Sequence, residues 1–177
     1  MKKRKRNRML GYDYLQDNLY FVTICVKNME CCFGGVSVKT GCDLSVFEPK
    51  LKSKKIILNE IGEIVKAQLN WLEKQYPYIK LHKSIVMPNH IHCIVEIDRN
   101  LITDKHIKIK SLSAIVGAYK MTTSKLIHLY GFLDFAWHRS FHDHIIRNTN
   151  SYNNIFNYIE TNPDNWDKDK YNGNRKA

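Results

Sequence analysis

Residues Met87–Ile97, MPNHIHCIVEI, constrain the fold more than any other stretch of the chain. Pro88-Asn89 turns the backbone, and the residues after it alternate as a β-strand does. Successive strand side chains point to opposite faces. His90 and His92 therefore share one face, and Ile91, Cys93, Val95 and Ile97 share the other. The apolar face is built for packing. The other face carries two imidazoles about 7 Å apart at their Cα atoms, a span that one metal ion bridges. The plainer alternative is a pair of histidines that only hydrogen-bond or face solvent.

Around this strand the pattern is α+β. Tyr20–Val26 is rich in β-branched and aromatic residues and predicts a strand. Cys32–Leu51 holds Gly34-Gly35, Thr40-Gly41 and Pro49 between short apolar pieces, which predicts a hairpin excursion. Ile61, Ile64, Val65, Leu69 and Leu72 fall at the helical period, predicting a helix over 59–75 capped by Asn59 and ended by Tyr76-Pro77. Lys80–Met87 reads as a strand antiparallel to the histidine strand. Asp98–Lys110 reads as a loop. Ser111 then caps a helix to about Tyr130, with Leu112, Ile115, Val116, Tyr119, Leu126 and Tyr130 on its buried side and Gly131 as the stop. A mixed segment, Phe135–Arg147, precedes a last helix capped by Asn150 or Ser151 and ended before Pro163. The links are too short for parallel crossovers throughout, so an antiparallel sheet covered by helices is expected.

The chain of 177 residues suits one domain. Residues 1–10 read as a flexible basic arm, 11–170 as a single catalytic domain and 171–177 as a tail. Lys and Arg number 28 against 17 Asp and Glu, a net charge of +11. That excess favours a polyanionic partner such as nucleic acid. Five cysteines without a Cys-x-x-Cys pair argue against a zinc ribbon and a disulfide framework, and fit a reducing cytoplasm. No apolar run reaches membrane-spanning length, and no hydrophobic region follows the basic start as it would in a secretory signal. No membrane partner is expected.

In the last helix Tyr152, Ile155, Phe156 and Ile159 make the buried stripe, and Tyr158 sits roughly 110° from its centre. Asn162 lies one turn beyond. A phenol is a poor nucleophile at neutral pH unless activated. A metal held by two histidines, with an amide oxygen from Asn162 as a third ligand, would polarise a phosphate for attack by Tyr158. The plainer reading makes Tyr158 a boundary residue with its hydroxyl in water. His142 and His144 form a second His-x-His; spacing alone leaves them as rival ligands. A row of Ser113, Gly117, Lys120 and Ser124, together with Arg139 and Arg147, suits either a phosphate backbone or a solvated face.

Several strings carry a family resemblance: Gly11–Tyr14, Tyr20–Ile24, Asn59–Gly62, Val86–His92, Trp137–Arg147 and Tyr158–Pro163. Through them the chain resembles the HUH-type single-tyrosine DNA transposases, most closely their REP-associated group. The resemblance implies a ferredoxin-like antiparallel sheet with helices on one side. It implies metal ligands at His90 and His92, a nucleophile at Tyr158, and a third ligand at Asn162, where the family often has Gln. It implies cleavage of single-stranded DNA beside hairpins with Mg2+ or Mn2+, and rejoining through a 5′-phosphotyrosine in the bacterial cytoplasm, at the nucleoid. His142 and His144 fall in the matching string without a role, and we group them with the nucleic-acid contacts. Monomer and homodimer both stay open. Two other functions remain in play: a hairpin DNA- or RNA-binding protein without catalysis, and a metal phosphodiesterase that activates water.

Overall fold

The computed structural model describes residues 11–38, 53–102, 104 and 106–172. The basic arm expected at the N-terminus lies outside them, as does the middle of the hairpin excursion. Among these described residues six strands and three α-helices follow one another: β1 (Asn18–Cys25), β2 (Gly34–Val38), β3 (Lys54–Leu58), α1 (Glu60–Gln75), β4 (Ile79–Val86), β5 (His90–Ile97), α2 (Leu112–Leu129), β6 (His142–Ile146) and α3 (Thr149–Thr161). β2 and β3 pair antiparallel as a separate ribbon between β1 and α1. Without that ribbon the order is β-α-β-β-α-β, and the sheet runs β4-β5-β1-β6, antiparallel throughout. This is the ferredoxin-like arrangement.

α1 begins where a side chain can cap it. Asn59 Oδ1 accepts from the Gly62 amide at 3.0 Å, while its Nδ2 donates to the Cys32 carbonyl. Its stripe of Ile61, Val65, Leu69 and Leu72 packs with Leu112, Ile115, Val116, Tyr119 and Ile127 of α2 on one face of the sheet. That face presents Tyr20, Val22, Ile24, Ile91, Cys93, Val95 and Ile97. Tyr119 ties the two helices together by donating to the Val65 carbonyl at 2.8 Å. The buried stripe of α2 runs through Thr123 and Ile127 rather than through Leu126 and Tyr130, which are exposed. Those two fall on the line that continues Leu112, Ile115 and Tyr119 at 100° per residue, so it is their place at the end of the helix, not its period, that leaves them exposed.

The helices do not all lie on one side. α3 crosses the opposite face, where Ile159 packs with Ile94 and Ile146, flanked by Phe21, Ile85, Tyr152, Ile155 and Phe156. β5 is therefore covered from both sides and almost wholly buried. The cap of α3 is Asn148, whose Oδ1 accepts from the Ser151 amide at 2.8 Å. The helix begins at Thr149, earlier than expected, so Asn150 and Ser151 already lie inside its first turn and cannot cap it.

Candidate metal and nucleophile site

His90 and His92 stand on the α3 face of the sheet, opposite Cys25 and Thr23 of β1. Both are buried, at 0% and 1% exposure. Their Nε2 atoms converge to 3.0 Å. Each Nδ1 is held from behind: that of His90 by Asn89 Oδ1 at 2.8 Å, that of His92 by Thr23 Oγ1 at 2.9 Å.

These partners fix the proton of His90 and let that of His92 move. Asn89 Nδ2 donates to the carbonyls of Met29 and Tyr171, so its Oδ1 faces His90 and can only accept. His90 Nδ1 therefore carries the proton, and its Nε2 is a bare lone pair. In the cation-free state His92 Nε2 supplies the proton of the 3.0 Å contact, and its Nδ1 accepts from the Thr23 hydroxyl. A hydroxyl donates or accepts by rotating. If Thr23 accepts instead, the proton moves to Nδ1 and both Nε2 lone pairs are bared toward one point. Burial keeps both rings neutral. It pushes the His90 pKa down to about 4, against a smaller upward pull from Asp169, and holds that of His92 well below the ordinary value, with His90 adding to the effect.

Asp169 completes a three-donor cluster with the two imidazoles, all ligand atoms lying within 4.8 Å of one another. It is 8% exposed. Its Oδ1 accepts from the Tyr171 amide at 2.8 Å, and its Oδ2 accepts from Asn162 Nδ2 at 3.1 Å. A carboxylate can only accept, so the Asn162 amide nitrogen faces it, and Asn162 Oδ1 is left buried with no partner among the described residues. Two bared imidazole nitrogens, a carboxylate and an orphaned amide oxygen suit a divalent cation. Asn162, expected as the third ligand, donates to Asp169 through its nitrogen and keeps its oxygen free of that bond.

Tyr158 comes to this cluster. Its hydroxyl lies 3.3 Å from His92 Nε2, and its ring meets Phe21 edge-on. It is 39% exposed, at the margin of the packed stripe, and Ile159 beside it is fully buried. Burial, then the charges of Asp169 and Tyr171, push its phenol up to about 12, while the Asn162 side chain offsets part of the rise. Tyr171, assigned to the tail, is buried against both imidazole rings at 4.7 and 5.8 Å between centroids.

A cavity of about 900 Å³ opens over these groups. His142 and His144 line it from β6, opposite Thr23 and Phe21, and both are exposed. Neither joins the three-donor cluster found among the described residues. Lys168 and Lys170 stand on its rim beside Asp169. Ser113, Lys120 and Ser124 belong to α2, behind the sheet, and the structure does not bring them into this cavity. Lys120 Nζ donates to the carbonyls of His138 and Ser140, and burial brings its pKa down to about 8. Arg147 lines a neighbouring hollow with Tyr14, Asn148 and Ser151, and Arg139 is exposed. No helix among the described residues is long and apolar enough to cross a membrane.

Asp169, Tyr171, Thr23 and Asn89 carry no local signal that would mark them for this site. Asn89 and Thr23 fall in strings singled out above, Asn89 as a turn residue and Thr23 as a strand residue.

No protein-family model matches the chain. An uncharacterized protein of Haemophilus influenzae strain Rd is 26% identical over 180 residues, spanning 94% of this chain and 92% of the relative. Among solved structures, a REP-associated tyrosine transposase bound to a REP hairpin superimposes with a TM-score of 0.56 at 18% identity, covering 94% of this chain and 74% of that one. A candidate transposase of Deinococcus radiodurans R1 gives a TM-score of 0.45 at 17% identity, covering 90% and 96%. The fold is that of the REP-associated tyrosine transposase.

Proposed function

We propose that the chain is a metal-dependent transposase that nicks and rejoins single-stranded DNA beside hairpins, with Tyr158 as nucleophile. The observation that carries this reading is the meeting of three things at one point: a half-exposed phenol, two imidazoles with converging Nε2 atoms, and a buried carboxylate. The transposase of the same fold was solved with a REP hairpin, which supports a hairpin as the DNA element recognised here.

Tyr158 Oη attacks a backbone phosphorus. A bond from Oη to phosphorus forms, and the bond from phosphorus to the 3′ oxygen breaks. The phenol gives up its proton and the departing 3′ oxygen gains one. The 5′ phosphate stays on Tyr158, and a later attack by a 3′ hydroxyl restores the phosphodiester, so rejoining needs no outside energy source. His90, His92 and Asp169 would hold Mg2+ or Mn2+, and the buried, unpartnered Asn162 Oδ1 would be a further oxygen donor. When bound, such a cation supplies Lewis-acid polarisation of the phosphate and favours the phenolate. A phenol held near 12 is protonated at neutral pH, so the positive charge beside it has a defined task. The chain's own part is placement: α3 sets the hydroxyl, Phe21 sets the ring, and Asn89 and Thr23 set the imidazoles. His142, His144, Lys168 and Lys170 line the path on which the DNA backbone would lie, and Arg139 and Arg147 would extend it.

The test uses end-labelled hairpin DNA with a single-stranded flank, Mg2+ or Mn2+, and a denaturing gel. A covalent protein–DNA band that disappears in Tyr158→Phe is the expected result. Cutting that persists in Tyr158→Phe points to water as nucleophile and overturns the reading. A mobility shift without cutting by the intact chain points to a binding protein.

A further inference from the structure

The second His-x-His pair, His142 and His144, lines the cavity with Tyr158 and has no chemical task in the attack described above. Strand register separates the two. Thr23 of β1 faces His92 of β5 on one side and His142 of β6 on the other, so His92, Thr23 and His142 form one row across the sheet. Paired strands set opposite Cα atoms about 5 Å apart, so the two histidines stand about 10 Å apart with only the small Thr23 side chain between them. His144 belongs to the next row, opposite Phe21. α3 lies on the β4 side of His92: Tyr152 meets His82, and Phe156 and Glu160 meet Lys83. Tyr158 therefore reaches His92 from one side, and β6 stands on the other. The His142 ring is exposed, lies 6.5 Å from the ring of Tyr171, and makes no hydrogen bond among the described residues.

We infer that His142 exchanges a proton with the 3′ oxygen of the cleaved strand, giving one as the strand opens and taking one as it is rejoined. The inference rests on Tyr158 as nucleophile. In-line displacement sets the attacking and leaving oxygens on opposite sides of phosphorus. A phosphate seated between Tyr158 and β6 has the phenol on one side and His142 on the other. In cleavage the bond from Tyr158 Oη to phosphorus forms. The bond from phosphorus to the 3′ oxygen breaks, its electron pair stays on that oxygen, and the His142 imidazolium supplies the proton. The phenol proton passes to water, and His142 is left neutral. In rejoining, neutral His142 takes the proton of the 3′ hydroxyl, that oxygen attacks phosphorus, and the departing phenolate takes a proton from water. Two-way exchange needs a group that changes charge near neutral pH, as imidazole does. Partial burial, then Lys170 and His138, hold the His142 pKa below the ordinary 6.5, and Asp143 pulls it back. Tyr171 is the other titratable ring against it. The neutral form therefore predominates at pH 7, ready to accept from the 3′ hydroxyl.

The test compares hairpin DNA that has the ordinary 3′ oxygen at the mapped cleavage position with the same DNA that has sulfur there, in Mn2+ and under single turnover. Sulfur departs as a thiolate, whose thiol ionises near ~8.5, so it needs no proton donor. The intact chain is expected to form the covalent complex with both. His142→Ala should slow cleavage at oxygen by about 100-fold or more, as loss of an acid–base group does, and at sulfur by no more than about 10-fold. His142→Gln should behave in the same way. The position is exposed, so both variants should keep the thermal midpoint. His144→Ala, which removes a backbone contact, should slow both substrates alike. Full speed of His142→Ala at oxygen, or equal slowing at oxygen and sulfur, overturns the inference and leaves Tyr158 as nucleophile. So does rescue by sulfur in His144→Ala rather than in His142→Ala. Failure of the intact chain to form a covalent complex with either substrate overturns the assignment of Tyr158 and this inference with it.

Discussion

Acidifying the cation-free protein should unfold it through the histidine pair. Both imidazoles are buried and neutral in the folded chain, and both become ordinary in the unfolded one. His90 falls from the usual 6.5 to about 4 on folding. The folded state therefore binds fewer protons than the unfolded state between those values, and stability rises with pH across that window. It is fully present above about 6.5 and is lost as pH falls through about 4. At ~1.4 kcal/mol per pH unit of displacement, His90 alone accounts for about 3 kcal/mol. His92 acts in the same direction. The two rings share one hydrogen bond and take up their first proton together, so the loss is counted once. A domain of this size shifts its midpoint by about 2–4 °C per kcal/mol, giving a fall of roughly 6–12 °C between pH 7 and pH 4.5. The assay is thermal unfolding by circular dichroism in EDTA, with His90→Gln/His92→Gln run in parallel. The variant removes these two groups and leaves every other carboxylate and histidine in place. If the intact protein and the variant lose stability with the same slope, the pair is not buried and neutral, and the account of the site fails with it.

Three further outcomes follow from the contacts. Asp169→Ala should weaken Mn2+ binding, read by calorimetry, by more than roughly 100-fold, whereas Asn162→Ala, which removes the group that orients the carboxylate, should cost roughly 10-fold; the reverse order would return the third ligand to Asn162. Thr23→Val should lower Mn2+ affinity by roughly 10–100-fold while Thr23→Ser keeps it, because only a hydroxyl can take the His92 Nδ1 proton that coordination requires. Gly62→Ala should destabilise the fold by roughly 1–3 kcal/mol in urea titration, since an added Cβ would sit 2.1 Å from the Phe33 carbonyl oxygen.

The parts of the site that lie on one element were legible in the sequence. Alternation put His90 and His92 on one face of β5, and the 3.6-residue period put Tyr158 at the margin of the buried stripe of α3; both hold. The parts that depend on distant segments were not. Asp169 follows a single 3-10 turn, too short to show any periodicity, and its approach to the imidazoles depends on how residues 163–172 fold back over β5. The hydrogen bond of Thr23 to His92 crosses 69 positions of the chain. The α2 stripe went astray at its C-terminal end for a different reason: Leu126 and Tyr130 are apolar by composition, and composition does not say whether an apolar surface is met from within the chain.

The cover on both sides of the sheet ties stability and site together. A ferredoxin-like sheet needs only one helical layer to bury its apolar face, which α1 and α2 supply. α3 adds a second, smaller core on the other face, and its central member is Ile159, the residue next to Tyr158. Adjacent helix residues differ by 100°, so the ring that anchors α3 and the phenol that reaches His92 are set by the same backbone turn. The 3.3 Å contact between Tyr158 and His92 is therefore maintained by Ile94 and Ile146 pressing on Ile159, not by the contact itself. His82 adds a polar latch at the other end of the helix, bonded to Tyr152 at 3.1 Å and to Glu96 at 2.7 Å. An aliphatic truncation at Ile159 acts on the nucleophile through packing alone, and the chemistry at the sheet is only as well placed as the small hydrophobic cluster beneath the helix.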